Sequence, residues 1–129
     1  MPLAGRLGRV LHETQHSRGG IAHGIGNAIL EWMGYDDSAQ PITTTFADYL
    51  LPGAMEVPDM ETLYKQTPSP LNPLGAKGAG EVSTIPTAAA VIGAIEDALT
   101  PFGVRISQTP VTPQKLCELI IGSRSSGGL

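Results

Sequence analysis

Apolar residues recur at helical spacing in three stretches of the chain. In the first, Ile21, Ile25, Ala28, Ile29, Trp32 and Met33 share a face, which predicts an amphipathic helix over 20–33. Its other side is small: Ala22, Gly24, Gly26 and Asn27. Glycine costs up to about 1 kcal/mol inside a helix, so two in the first turns indicate close approach of another backbone or of a ligand. In the second stretch, Ala88, Val91, Ile92, Ile95, Ala98 and Leu99 follow the i, i+3, i+4, i+7 rule. Ser83 or Thr84 stands where a cap is needed, Pro86 fits the first turn, and Gly103 follows the end. A third helix opens at Thr112–Pro113 with Leu116, Leu119 and Ile120 inward.

Between the helices the pattern changes. Gly34 is placed to end the first helix, and Asp36, Asp37 and Ser38 read as a turn. Residues 43–51 are β-branched and aromatic enough for a strand, ended by Pro52, and 60–66 is a second strand candidate. Residues 104–107 suit a short strand. Residues 67–83, TPSPLNPLGAKGAGEVS, carry prolines and glycines that forbid a regular helix and do not suit a central strand. The stretch keeps leucines and alanines and few charges, so it reads as an ordered, functional loop. The expected architecture is α+β: two to three helices packed on a small antiparallel sheet, with this loop at one edge. The domain covers 19–121, after a weakly patterned segment 1–18 and before a flexible tail 122–129.

Composition narrows the function. With 129 residues the chain is one domain or a piece of one. Apolar residues make up 41% and charged residues 16%, which argues against a disordered tail. Sixteen glycines and eleven prolines make it rich in loops. Aromatics are scarce, so the core rests on Ile, Leu, Val and Ala. The net charge of −4 comes without a Lys/Arg cluster, so nucleic acid is not an expected partner. No apolar run reaches the ~20 residues of a membrane span, and no secretory h-region stands at the start. A lone cysteine, Cys117, excludes an internal disulfide and a cysteine-based zinc or iron–sulfur site, and a cytoplasmic setting is expected. On its helix beside Leu116, Cys117 reads as buried and inert.

Several motifs invite chemistry. His12-Glu13-Thr14-Gln15-His16 is a literal H-E-x-x-H, the zinc-peptidase pattern, and His23 falls one residue late for a third ligand. Gly19-Gly20 just after it argues against the long helix such a site needs, and too little sequence precedes it to support one. Gly24-Ile25-Gly26 lacks the third glycine of a dinucleotide fingerprint. Gly75-Ala76-Lys77-Gly78-Ala79-Gly80 is not a P-loop, yet glycines at a helix start leave N–H groups for an anion or another polar ligand. Glu81 follows them. A carboxylate there suits the helix dipole. Its small and apolar neighbours Ala79, Gly80, Val82 and Ile85 also suit a dry pocket that tunes a general base. Asp48 either pairs with Lys77 or caps a turn. No residue is assigned as a metal ligand.

Three segments, taken together, resemble one known family. SPLNPLGAKGAGE (Ser69–Glu81) looks like the carboxy-terminal active-site loop of the molybdenum hydroxylases, the xanthine dehydrogenase / aldehyde oxidase family, which includes carbon monoxide dehydrogenase large subunits. GGIAHGIGNAILE (Gly19–Glu31) resembles the family's G-G-x-A-Q-G-I-G-Q-A-x-x-E, and TTFADYLLP (Thr44–Pro52) its x-F-x-D-Y-x-L-P. The resemblance implies that Glu81 is the catalytic base, acting as water-derived oxygen is delivered to an electrophilic substrate carbon. It places His23, Gly24, Gly26, Lys77, Gly78, Ala79 and Gly80 against the cofactor. His23 stands where the family usually has Gln, and Asn27 where it often has a second Gln.

The implied cofactor is a molybdenum–pyranopterin (molybdopterin), with the cytosine dinucleotide form as one option, bound only together with a partner subunit. Iron–sulfur clusters and FAD are implied on other subunits. The implied partners are the rest of the molybdenum large subunit, an iron–sulfur subunit, a flavin subunit and a small-molecule substrate. Gly8-Arg9-Val10 resembles the family's G-R-V, with about three residues missing before Gly19-Gly20. The chain alone is not expected to turn over substrate: it is a subunit of a split enzyme, a truncated piece or a gene remnant. Two other classes stay open, a non-catalytic interaction domain that folds without cofactor and a zinc peptidase.

Overall fold

The computed structural model describes the backbone of residues 3–63, 65 and 67–126, and side chains from residue 16 to residue 124 apart from 64 and 66. Helix α1 runs Leu3–Ile29, α2 Thr84–Ala98 and α3 Pro113–Ser126, with a 3₁₀ turn at Thr100–Phe102.

Helix α1 begins well before the expected residue 20 and passes through Gly19-Gly20 without a break. Residues 3–18, expected to be weakly patterned, are thus helical. Packing explains why the glycines do not stop it. Gly20 and Gly24, one turn apart, face α2. A Cβ on Gly20 would lie 2.1 Å from Ser83 Oγ, and one on Gly24 2.5 Å from Thr87 Cβ. The contact between α1 and α2 offsets the poor helix propensity of both residues.

The helix then ends earlier than expected, at Ile29. The N–H groups of Leu30 and Glu31 both donate to the Gly26 carbonyl at 2.9 Å, and the chain turns away. Trp32 and Met33 lie beyond this turn, half exposed. Gly34 does not cap the helix. The Trp32 ring covers it, and its N–H donates to Thr43 Oγ1 at 2.9 Å. The expected turn at 36–38 forms, with Asp36 Oδ1 accepting from the N–H groups of Ser38 (2.8 Å) and Gln40 (2.9 Å). Tyr35 and Pro41 close this turn in one antiparallel bridge.

Residues 43–51, expected as a strand, run irregularly around one turn at 46–48. Thr45 N (3.3 Å) and Oγ1 (2.9 Å) both donate to Asp48 Oδ2, and the N–H of Tyr49 returns to the Thr45 carbonyl at 2.8 Å. Local side-chain bonds thus satisfy backbone groups that a strand would have paired. Of the open choices for Asp48, the structure takes the turn cap. Residues 60–63 and 104–107 are irregular, and Tyr64 and Gln66 of the second strand candidate lie outside the described residues. The segment after α2 is instead tied to α2, because Ile106 N donates to Glu96 Oε1 at 2.7 Å.

The core is small. Among the described residues, Ile25, Ala28, Val104 and Val111 are its buried apolar residues, joined by Thr43. It sits where the end of α1 meets the segment leading into α3, sealed by Val111 N donating to the Ala28 carbonyl at 2.7 Å. Helix α3 continues past Gly122 to Ser126, so the expected tail is helical as far as that residue, and 127–129 lie outside the described residues. Arg124 packs over the Phe102 ring at 5.3 Å, and Ser123 Oγ donates to the Ile120 carbonyl at 2.9 Å. Cys117, expected buried, is exposed.

The accessible surface is 9969 Å². A folded monomer of this mass exposes only about 6,500 Å². Phe46, Met55, Leu63, Leu71 and Leu74 are each at least 80% exposed. Monomers rarely show so much apolar surface. Among the described residues no helix is long and apolar enough to cross a membrane.

Candidate active site

The loop before α2 is built by its own side chains, as expected for 67–83. Asn72 clamps Ala76 twice: Nδ2 donates to the Ala76 carbonyl (2.9 Å), and Oδ1 accepts from the Ala76 N–H (2.8 Å). Ser69 N donates to the Gly75 carbonyl at 3.1 Å, and Gly75 N to the Asn72 carbonyl at 3.0 Å. Gly75 has φ +64, and a Cβ there would lie 2.8 Å from Pro68, so the tight turn needs glycine. Lys77 Nζ donates to Thr67 Oγ1 at 3.0 Å, which closes the base of the loop. Lys77 is thus occupied by Thr67, not by Asp48.

The chain then runs exposed through Gly78, Ala79 and Gly80. Over Gly78 and Gly80 there is open space where a Cβ would stand. None of the described hydrogen bonds uses the N–H groups of these three residues. Glu81 follows, with its carbonyl accepting from the N–H groups of Thr84 and Ile85, both at 3.1 Å. Its backbone is therefore fixed to the first turn of α2. Its carboxylate is exposed, as are Val82 and Ile85 (61% and 73%). The dry pocket expected around Glu81 is not formed by this chain on its own, because the flanking apolar side chains turn outward.

Helix α1 passes beside the base of this loop. Gly20 and Gly24 meet Ser83, Thr84 and Thr87. Ser83 Oγ is buried there without a hydrogen-bond partner. His23 is exposed, next to buried Gly24. Gly26 is buried beneath the Glu31 carboxylate and Pro52. The space beside Gly24 and Gly26 is thus filled by protein. Gly24 lies against α2 and Gly26 against Glu31 and Pro52, while Gly78 and Gly80 of the loop stand open.

Two contacts were not anticipated from sequence. His16 Nε2 donates to the Gly80 carbonyl at 2.8 Å, across 64 residues. The H-E-x-x-H motif does lie on a helix, against expectation, and His16 reaches the glycine loop. Its only sequence signal was that motif, which points to metal instead. The side chains of His12 and Glu13 lie outside the described residues, and among the described ones no group of three or more His, Cys, Asp or Glu is placed to hold a metal ion. The second contact joins the other end of α1 to the 44–52 segment. Tyr49 Oη donates to Glu31 Oε2 at 2.6 Å. This bond, together with burial and the charge of Glu31, raises the Tyr49 phenol above its usual value near 10.

A cleft of 620 Å³ lined by residues including Trp32, Asp48, Leu50, Gln108 and Lys115 shares no residue with the 77–81 loop.

Residues 8–58 match the family profile of the molybdopterin cofactor-binding domain. Over 114 residues the chain is 42% identical to the 6-hydroxypseudooxynicotine dehydrogenase complex subunit gamma of Paenarthrobacter nicotinovorans, covering 88% of this chain and 14% of that protein. It is 40% identical to the nicotine 6-hydroxylase large subunit of the same organism, covering 81% of this chain and 13% of the relative. Among solved structures, quinoline 2-oxidoreductase from Pseudomonas putida 86 superposes with a TM-score of 0.80 at 44% identity, over 84% of this chain and 14% of that one. The chain spans about one seventh of the length of these relatives.

Proposed function

The chain belongs to the molybdopterin cofactor-binding family, and on that premise we propose that it is the carboxy-terminal portion, or a separate small subunit, of a molybdenum hydroxylase. The reaction is hydroxylation of an electrophilic carbon in an aldehyde, a purine or another N-heterocycle, or oxidation of carbon monoxide, with water as the oxygen source. The names of the relatives make ring carbons of N-heterocycles the first substrates to try.

The observation that carries this reading is the order of features along one loop. Three exposed residues, Gly78, Ala79 and Gly80, leave their N–H groups for a ligand, and the carboxylate of Glu81 follows at once on a backbone fixed to α2. This donor set suits the polar edge of a pyranopterin, cytosine dinucleotide form included, because glycine lets a ligand approach the backbone closely. When bound, the molybdenum–pyranopterin supplies the two-electron oxidation. The N–H groups of 78–80 and the Lys77 ammonium hold it, and His23 lies exposed on α1 for the same purpose. Gly24 lets α1 lie close against α2, and Gly26 admits the Glu31 carboxylate and Pro52. Glu81 accepts the proton released as oxygen passes to the substrate, the role of a general base.

The rest of the large subunit covers the exposed apolar side chains and completes the pocket around Glu81. Iron–sulfur and FAD subunits take the electrons onward, and the assembly is cytoplasmic. The test is elemental analysis of the chain purified gently with its co-purifying subunits. Stoichiometric molybdenum is expected. An intact assembly without molybdenum contradicts the reading, and zinc in its place revives the peptidase.

A further inference from the structure

We propose that His16 is a positioning residue for Glu81, acting through the carbonyl of Gly80. This rests on the reading of Glu81 as the base. The backbone of Glu81 has one anchor on its carboxyl side, where its carbonyl accepts from Thr84 and Ile85. On its amino side, packing supplies nothing at Gly78 and Gly80, where a Cβ would meet open space. Glycine there leaves the backbone with wide conformational freedom. The imidazole of His16, carried on the regular backbone of α1, donates from Nε2 to the Gly80 carbonyl at 2.8 Å. The turn that carries Glu81 is thus held between two helices, by α2 directly and by α1 through His16.

The carbonyl of Gly80 can only accept, so Nε2 must carry the proton in the neutral ring. Arg18, two residues further along α1, reaches the Met60 carbonyl at 3.5 Å, so this turn of α1 also touches the segment before the loop. A misplacement of about 1 Å at a catalytic group costs on the order of 10²-fold in rate, which is why a tether at this point matters.

Hydrogen exchange on the full chain tests the tether apart from catalysis. His16→Ala is expected to raise exchange at Thr84 and Ile85, whose N–H groups donate to the Glu81 carbonyl, by up to about fivefold, the worth of one hydrogen bond. His16→Gln, which keeps a donor, stays near wild type, and 88–98 is unchanged in both. Wild-type exchange at Thr84 and Ile85 in a folded His16→Ala chain overturns the proposal. If that variant unfolds, nitrogen NMR of the wild-type imidazole decides: a neutral ring protonated at Nδ1 overturns the proposal, and one protonated at Nε2 supports it. In the molybdenum-loaded assembly, His16→Ala is expected to lower kcat by roughly 10–100-fold, with KM little changed and with rescue by His16→Gln. Faster exchange with unaltered kcat, while Glu81→Gln is inactive, makes the bond merely structural and overturns the positioning role. Full activity of Glu81→Gln instead sinks the base assignment and leaves the exchange result standing.

Discussion

Gly24 faces Thr87 across the α1–α2 contact so closely that a Cβ on Gly24 would stand 2.5 Å from the Cβ of Thr87 and 3.2 Å from the Thr84 carbonyl oxygen. Backbone and a β-branched side chain cannot yield as a flexible chain end would. Gly24→Ala should therefore destabilise the chain by about 1–3 kcal/mol, the usual range for overpacking. Gly19, on the same helix, has nothing within 4 Å, so Gly19→Ala should stabilise it by up to about 1 kcal/mol. Urea unfolding of the two variants checks the pair. Equal effects of the same sign contradict the packing.

Ser83 presents a different case. Its hydroxyl oxygen is buried beside Gly20 and has no partner. An unsatisfied buried hydroxyl costs roughly 1–3 kcal/mol. Ser83→Ala should leave stability unchanged or raise it, although serine stands at the N-cap position of α2, because the side chain makes no capping bond. A loss of thermal stability on substitution contradicts this.

The bond from Tyr49 to Glu31 makes a prediction about pH. The folded chain holds the phenol proton more tightly than the unfolded chain does. Between the unfolded value near 10 and the raised folded value, the native state binds more protons, so stability falls as pH rises. The contribution is fully present below pH ~10 and is lost above it. Tyr49→Phe removes it. Urea midpoints of wild type and variant should differ by a constant amount from pH 7 to 9 and converge above 10. Parallel curves throughout contradict the assignment.

Much of this molecule was legible in its sequence, and the exceptions have physical causes. The α2 periodicity, the turn at Asp36 and the ordered loop at 67–83 each follow from local residue chemistry. The start of α1 did not, because Gly19-Gly20 is a poor helical pair by propensity, and it is the contact of Gly20 with Ser83 and Thr84 that explains its place. The 43–51 segment has strand composition, but Thr45 and Asp48 satisfy the backbone locally. Around Glu81, the glycines and the loop could be read, since both are written in one short segment. The bond from His16 could not, because it joins residues 64 positions apart. The exposure of Glu81 likewise depends on what covers Val82 and Ile85.

The central claim is that Glu81 acts as the base of a molybdenum hydroxylase. Its most direct test is turnover of the molybdenum-loaded assembly carrying Glu81→Gln, which keeps the size and polarity of the side chain and removes its basicity. Loss of a general base should lower kcat by roughly 10²–10⁴-fold, with molybdenum content and subunit composition unchanged. Turnover close to that of the wild-type assembly contradicts the claim.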